Sequence, residues 1–213
     1  RLGECPCFQS YGYRECNSLC ACSFSSSSSS NSSSSRKMSS GCENTRLLQG
    51  SEYVRNNSLE IFQTNNRQFG LRSKCFIAGG SFVIEYIGEC ISVAESKKRS
   101  KEYDKLRLNY QLAVREHFSG PNLTLKHVID STKAANAARF INHACEPNLE
   151  VRPIRVDTDL PRFAIFATRD IEAGEELCIS YGSKPEKEYL GVAKKCQCGS
   201  KACCGYLPYD PDL

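Results

Sequence analysis

At 213 residues, with 40% hydrophobic content, the chain has room for one large domain with small appendages and enough apolar mass for a core. No apolar run reaches about 18 residues, so no membrane span is expected, and no secretory leader opens a chain that starts on Arg1, as a fragment or trimmed chain would. The net charge of +4 is a mild excess without the clustered basic face of a nucleic-acid binder, and no sequence-specific DNA binding is expected.

Residues 1–50 carry "ECPCFQSYGYRECNSLCACS" and then "CENTRLLQG". This stretch is cysteine-rich and poor in aliphatic residues, so a small module held by metal is expected rather than one held by a core. Within it, residues 23–40 are a serine tract that cannot bury enough surface to offset ordering, and a disordered loop is expected there. Fourteen cysteines in all cluster at the two ends with C-x-C spacing, which favours metal over disulfides. A secreted, disulfide-rich protein is the competing reading; three Asn-x-Ser/Thr sequons, at Asn31, Asn56 and Asn122, lend it weak support.

From residue 51 to 183 the pattern predicts many short strands and few helices. "SLEIFQT", the turn-punctuated "GLRSKCFIAGG" and the alternating "SFVIEYIGECI" read as strands. Ser92 and Glu95 form a capping box ahead of the charged helix "SVAESKKRSKEYDKLRL", whose basic run reads as solvated surface. "NYQLAVREHF" and "KHVIDST" read as strands, and the alanine-rich "KAANAARFINH" as a helix. "RFAIFATRDI" and "EELCISYG" follow as strands around the turn "EAG". No G-x-G-x-x-G follows a strand, so a Rossmann-type cofactor fold is not expected.

Two constellations carry chemistry. In "KKCQCGSKACCGYLP" (residues 194–208), Cys196, Cys198 and Cys203 leave a tetrahedral zinc one ligand short. Adjacent Cys204, distant Cys145, or a self-contained knuckle are all open on spacing alone. In "RFINHACEPNLE" (residues 139–150), Cys145 lies two residues from His143. Their side chains are expected to point apart, which disfavours a thiol nucleophile with an imidazole base.

"RFINHACEPNLE" resembles the R-F-I/L-N-H-S-C-x-P-N motif of SET-domain protein-lysine methyltransferases, "GEELCISYG" their E-L-x-x-D-Y-G segment, and "FVIEYIGE" their V-x-E-Y-x-G-E strand. The first fifty residues resemble a truncated pre-SET zinc module and residues 196–203 the post-SET zinc motif. The likeness covers nearly the whole chain in the family's order and runs on towards the SET portion of SETMAR-type members. It implies a mainly β, β-clip-like and knotted SET fold over residues 51–183, flanked by a pre-SET module (1–50) and a post-SET segment (184–213).

The implied activity is methyl transfer from S-adenosylmethionine to a lysine amine, with a histone H3 tail or another lysine-containing protein as partner and chromatin, nucleus and chromosome as setting. Lysine 36 is favoured, with lysines 9 and 4 next. The resemblance places Tyr181 and Tyr110 in catalysis and Arg67, Gln68, Phe69, Tyr110, Arg139, Asn142 and His143 around the cofactor. For zinc it implies Cys145 with Cys196, Cys198 and Cys203, and Cys5, Cys7, Cys16, Cys20, Cys22 and Cys42 in the pre-SET module. That module uses nine cysteines in the family; the other three are expected upstream of Arg1, so an N-terminally extended chain should be more stable. Gln68 stands where the family has Gly, Phe69 where it has Trp, Ala135 where Gly is usual, Ala144 where it has Ser, Ser180 where it has Asp, and Ile179 where Phe or Tyr limits product methylation. The last change suggests dimethylation or trimethylation. A catalytically weak SET module that binds chromatin or proteins is the alternative.

Overall fold

The computed structural model describes residues 50–106, 108–117, 124–156 and 158–211. The expected serine loop and all six N-terminal cysteines lie outside the described residues. Among those described, the strands are β1 (Leu59–Gln63), β2 (Phe69–Ser73), β3 (Phe82–Tyr86), β4 (Glu89–Ile91), β5 (Gln111–His117), β6 (Thr124–Asp130), β7 (Asn142–His143), β8 (Leu149–Arg155), β9 (Pro161–Ala167) and β10 (Cys178–Ile179). Two α-helices, α1 (Glu52–Arg55) and α2 (Val93–Leu106), accompany them. The strands form four small sheets, ordered β1-β2, β3-β9-β8, β4-β6-β5 and the parallel pair β10-β7. None of the described helices is long and apolar enough to cross a membrane.

Strands β3 and β9 are buried on both faces, β9 giving Phe163, Ile165 and Ala167 to the main core and Ala164 and Phe166 to a smaller one with Phe82, Ile154 and Val156. Leu71, Ile77, Val83, Ile165, Ile171 and Leu177 are fully enclosed, and Ile129, Ile141, Leu149 and Ile179 nearly so. Close backbone approach fixes one residue type. A Cβ at Gly88 would lie 2.7 Å from the Asp130 carbonyl oxygen and 2.7 Å from Ser131 Oγ, which explains the glycine of "FVIEYIGE" where β3 passes into β4.

Helix α2 begins as expected but only half of the capping box forms. Ser92 Oγ accepts from the Glu95 amide at 3.1 Å, while the Glu95 carboxylate accepts from Arg99, one turn on, at 2.8 Å. Arg99 also donates to Glu89 and, at 2.9 Å, to the buried Asp130, which in turn accepts from Tyr103 Oη at 2.9 Å and from the Thr132 amide at 2.9 Å. Since only Ser96 and Tyr103 are buried on α2, charge pairing rather than an apolar stripe holds this helix to the β4-β6-β5 sheet.

The alanine-rich stretch departs from expectation. It forms a single 3-10 turn, Ala137–Phe140, not a helix through to His143. Asn136 starts the turn, accepting from the Ala138 amide at 3.2 Å and donating to the Glu85 carbonyl at 2.7 Å. Asn142 and His143 then run extended as β7, because they pair with β10. Tertiary pairing overrides the local propensity of alanine.

Candidate functional site

The short parallel pair β7–β10 sets Asn142 against Cys178 and His143 against Ile179, and the Ala144 amide extends it to the Ile179 carbonyl at 3.0 Å. This joins "FINH" to "LCISY". From β7, Asn142 Nδ2 donates to the Phe69 carbonyl at 3.0 Å and to Glu176 Oε1 at 2.9 Å. Arg67 reaches the same carboxylate through Nη2 at 2.6 Å and the His143 carbonyl through Nη1 at 3.3 Å, while its Nε is buried without a hydrogen-bond partner. A Cβ at Gly70 would lie 2.8 Å from Glu176 Oε1 and 2.9 Å from the Phe62 ring, so the carboxylate needs a glycine beneath it. Gln68 occupies the left-handed region, with φ 64°, in the hairpin turn closed by Thr64 N to Gln68 O at 2.8 Å. That conformation favours glycine, which gives a physical reason for the family's residue there. The Gln68 side chain is exposed.

A line of rings continues from this cluster. Phe69 is half-exposed and meets Phe140 edge-on at 6.1 Å; Phe140 meets Tyr110 at 6.2 Å. The Arg139 guanidinium lies 3.9 Å from the Tyr110 ring centre, a cation–π geometry, and donates to the Thr132 carbonyl at 3.3 Å. Tyr86 Oη donates to the Tyr110 carbonyl at 3.1 Å, and burial pushes the Tyr86 phenol up to about 12.

Tyr181 is fixed at three points. Its hydroxyl donates to the Ile141 carbonyl at 2.8 Å, its amide donates to His143 Nδ1 at 3.2 Å, and its ring packs on the imidazole at 5.4 Å. Burial, foremost, raises the phenol above the ordinary tyrosine value, so it is neutral at physiological pH and serves as a hydrogen-bonding group.

His143 and Cys145 do touch, against the expectation that they point apart. Nε2 lies 3.5 Å from Cys145 Sγ. Residues two apart on an extended chain share one face, and the bend at Cys145 and Glu146, just past the end of β7, brings the two side chains together. The contact still does not make a nucleophile and its base. Nδ1 accepts from the Tyr181 amide, so the neutral ring carries its proton on Nε2 and can only donate to sulfur. Burial and then the Arg67 charge lower the His143 pKa, favouring that neutral ring.

Beyond Cys145 the thiols gather. The Sγ atoms of Cys145, Cys196, Cys198 and Cys203 all lie within 4.8 Å of one another, each half-buried. Zn–S bonds of about 2.3 Å in a tetrahedron set sulfurs about 3.8 Å apart; Cys145 lies 3.9 Å from Cys196 and 4.0 Å from Cys203. The set therefore fits a tetrahedral metal ion, and all described cysteines are free thiols. At Cys198 burial opposes ionisation, but hydrogen bonding with the Ser200 side chain and with the backbone outweighs it and brings the thiol down to about 6. Cys204 stands outside the four, with Sγ 3.5 Å from Cys145 Sγ.

Two residues that matter to this geometry escaped the sequence reading. Glu176 is the acceptor shared by Arg67 and Asn142. Asn148 is buried, donating to Glu175 Oε1 at 2.9 Å and the Glu176 carbonyl at 2.8 Å and accepting from the Cys178 amide at 2.8 Å. It thereby holds β10 beside β7. Their signal was present in the quoted segments, as the "EE" before Leu177 and the Asn after Pro147.

The comparisons agree with this architecture. A family profile described as "SET domain" matches residues 68–182, and the chain belongs to the SET-domain family. It is 38% identical over 197 residues to "Probable histone-lysine N-methyltransferase set-23" of Caenorhabditis elegans, covering 91% of this chain and 71% of that protein. To "Histone-lysine N-methyltransferase SETMAR" of Mus musculus it is 35% identical over 209 residues, covering 93% of this chain and 61% of the relative; the chain thus spans about three fifths of that protein. The crystal structure of the methyltransferase domain of human SETMAR superposes with a TM-score of 0.62 at 36% identity, over 71% of this chain and 58% of that one.

Proposed function

We propose that this chain is a nuclear, chromatin-acting protein-lysine methyltransferase that uses S-adenosylmethionine and modifies a histone H3 tail, lysine 36 in the first place and lysine 9 or 4 next. The observation that carries this reading is the fixed Tyr181, with its hydroxyl on the Ile141 carbonyl and its amide on His143, beside the Arg67–Glu176–Asn142 cluster. The cofactor, when bound, supplies an electrophilic methyl on a sulfonium.

The residues fit such a ligand. A half-exposed Phe69 ring suits the adenine, the Glu176 carboxylate suits an ammonium, and the partnerless buried Nε atoms of Arg67 and Arg139 suit anionic oxygen. Asn142, His143, Tyr110 and Gln68 complete the pocket. A lysine amine with a pKa of about 10.4 is neutral in roughly one molecule in a thousand at pH 7, so deprotonation costs roughly 4 kcal/mol. Close to the cofactor's sulfonium the ammonium is disfavoured, and the Tyr181 hydroxyl orients the amine. Cys145, Cys196, Cys198 and Cys203 would hold a structural zinc. Ile179, fully buried and without a hydroxyl, leaves no group to hold a water beside the amine, which supports dimethyl and trimethyl products.

A second reading rests on Ser180. Its hydroxyl turns to the Gly182 carbonyl at 3.0 Å at the position that matches Asp in the resembled motif, as a weakly active binding module would allow. Incubation with labelled S-adenosylmethionine and a histone peptide array separates the two. Label on one H3 lysine, lost in Tyr181→Phe, supports the enzyme; peptide capture without label supports the module. Mass spectrometry that finds monomethyl product alone would refute the role given to Ile179.

A further inference from the structure

A tetrahedral ion at Cys145, Cys196, Cys198 and Cys203 leaves the second half of the "CC" pair unused. Cys204 Sγ is nonetheless 3.5 Å from Cys145 Sγ, closer than Cys196 at 3.9 Å or Cys203 at 4.0 Å. Its Sγ lies 3.3 Å from the Tyr206 carbonyl, beside the ligand set rather than in it. It is half-buried, and the next residue, Gly205, is exposed, so a small oxidant can reach it.

We propose that Cys204 is an oxidation site which, on attack by a hydroperoxide, forms a disulfide with Cys145 and releases the metal ion. In the first step the Cys204 sulfur takes one oxygen from hydrogen peroxide, the O–O bond breaks, and water leaves; Cys204 becomes a sulfenic acid. In the second, the Cys145 sulfur leaves the metal and attacks the Cys204 sulfur, the S–S bond forms, the S–O bond breaks, and hydroxide departs to be protonated to water. Two thiols lose two electrons and one peroxide becomes two waters. The sulfurs close from 3.5 Å to about 2.05 Å, a movement within the reach of side-chain rotation. With Cys145 withdrawn, only three thiolates would remain for the ion, so its affinity falls and it is released, and the tie to the β7 segment is lost.

The consequence for activity rests on the methyl-transfer reading. Cys145 in the disulfide turns away from His143 Nε2, and His143 is the acceptor for the Tyr181 amide. Oxidation at the C-terminal thiols therefore loosens the tyrosine of the site.

The test is made on the zinc-loaded chain with hydrogen peroxide, following released zinc with a colorimetric chelator and mapping disulfides by peptide mass spectrometry. The expected result is a cross-link between the tryptic peptides 140–155 and 202–213, assigned to Cys204 by fragmentation, together with zinc release. Cys204→Ser and Cys204→Ala should bind zinc as the parent chain does, lack that cross-link, and release zinc severalfold more slowly; the difference between chains isolates this site from any other bound metal. A variant that cannot load zinc here, release at the parent rate, or a parent cross-link joining Cys196 to Cys203 instead would overturn the proposal. The mapping on the parent chain needs no variant to fold, and none of these readouts depends on methyl transfer, so they stand even if the proposed activity fails.

Discussion

Glu176→Ala is the substitution that most directly tests how the site is held. The carboxylate accepts a charge-assisted hydrogen bond from Arg67 at 2.6 Å, with both side chains about one-fifth exposed, and a second bond from Asn142 at 2.9 Å. The first is worth about 1.5–3 kcal/mol and the second about 0.5–1.5 kcal/mol. Truncation leaves the Arg67 guanidinium with the His143 carbonyl at 3.3 Å and an already partnerless Nε. A loss of about 2–4 kcal/mol is expected in urea unfolding, with weaker cofactor binding by calorimetry because Arg67 and Asn142 are both released. Glu176→Gln keeps an acceptor and should lose roughly half as much. If Glu176→Ala unfolds within about 0.5 kcal/mol of the parent, the size of an ordinary surface change, the carboxylate is not the clamp described.

Tyr181→Phe should lower the methyl-transfer rate by about 10²–10³, as for loss of an active-site hydrogen-bonding group, while costing no more than about 1.5 kcal/mol of stability from the Ile141 bond; a large stability loss with the rate intact would reverse that assignment. Gly88→Ala drives a Cβ to 2.7 Å from backbone at Asp130 and should cost about 1–3 kcal/mol by overpacking, read as a lowered Tm. Stripping zinc with a strong chelator should weaken S-adenosylmethionine binding, through the Cys145–His143 contact; unchanged affinity would disprove that coupling. Glu116 accepts from Arg155, foremost, and from His127, which lowers its folded pKa below the ordinary glutamate value of 4.5. Its contribution is thus fully present above pH 4.5 and is lost as pH falls through the lower folded value. Glu116→Gln should flatten the acid limb of a stability–pH curve below that point.

Strands with alternating apolar residues, such as "SFVIEYIGECI", and the Ser92 start of α2 were legible because their signals are local. The alanine-rich stretch misled for the same reason: propensity favours a helix, but β10, some 35 residues later, requires Asn142 and His143 to be extended. The His143–Cys145 contact is consistent with the spacing after all: residues two apart on an extended chain share one face, and the bend at Cys145 closes the remaining gap. Glu176 and Gly88 lie inside quoted segments, but the reason each residue is needed is a group far along the chain: Arg67 in the first case, Asp130 in the second. The thiol cluster was half legible. C-x-C spacing announced Cys196 and Cys198, whereas on spacing alone nothing separated Cys145 from Cys204, and the structure draws both close.

The two-residue parallel pair β7–β10 also dictates when the protein can finish folding. Asn142 finds its partner strand only after Cys178 has been synthesised, and the pocket's ties span 109 residues from Arg67 to Glu176, 76 from Arg67 to His143 and 58 from Cys145 to Cys203. The β5–β6 hairpin, by contrast, closes within 7 residues, from His117 to Thr124. Distant closures form slowly and late. A nascent chain halted on the ribosome before Cys178 emerges would hold the hairpin but no assembled pocket, and the tyrosine and thiols would come together only once Cys203 has emerged.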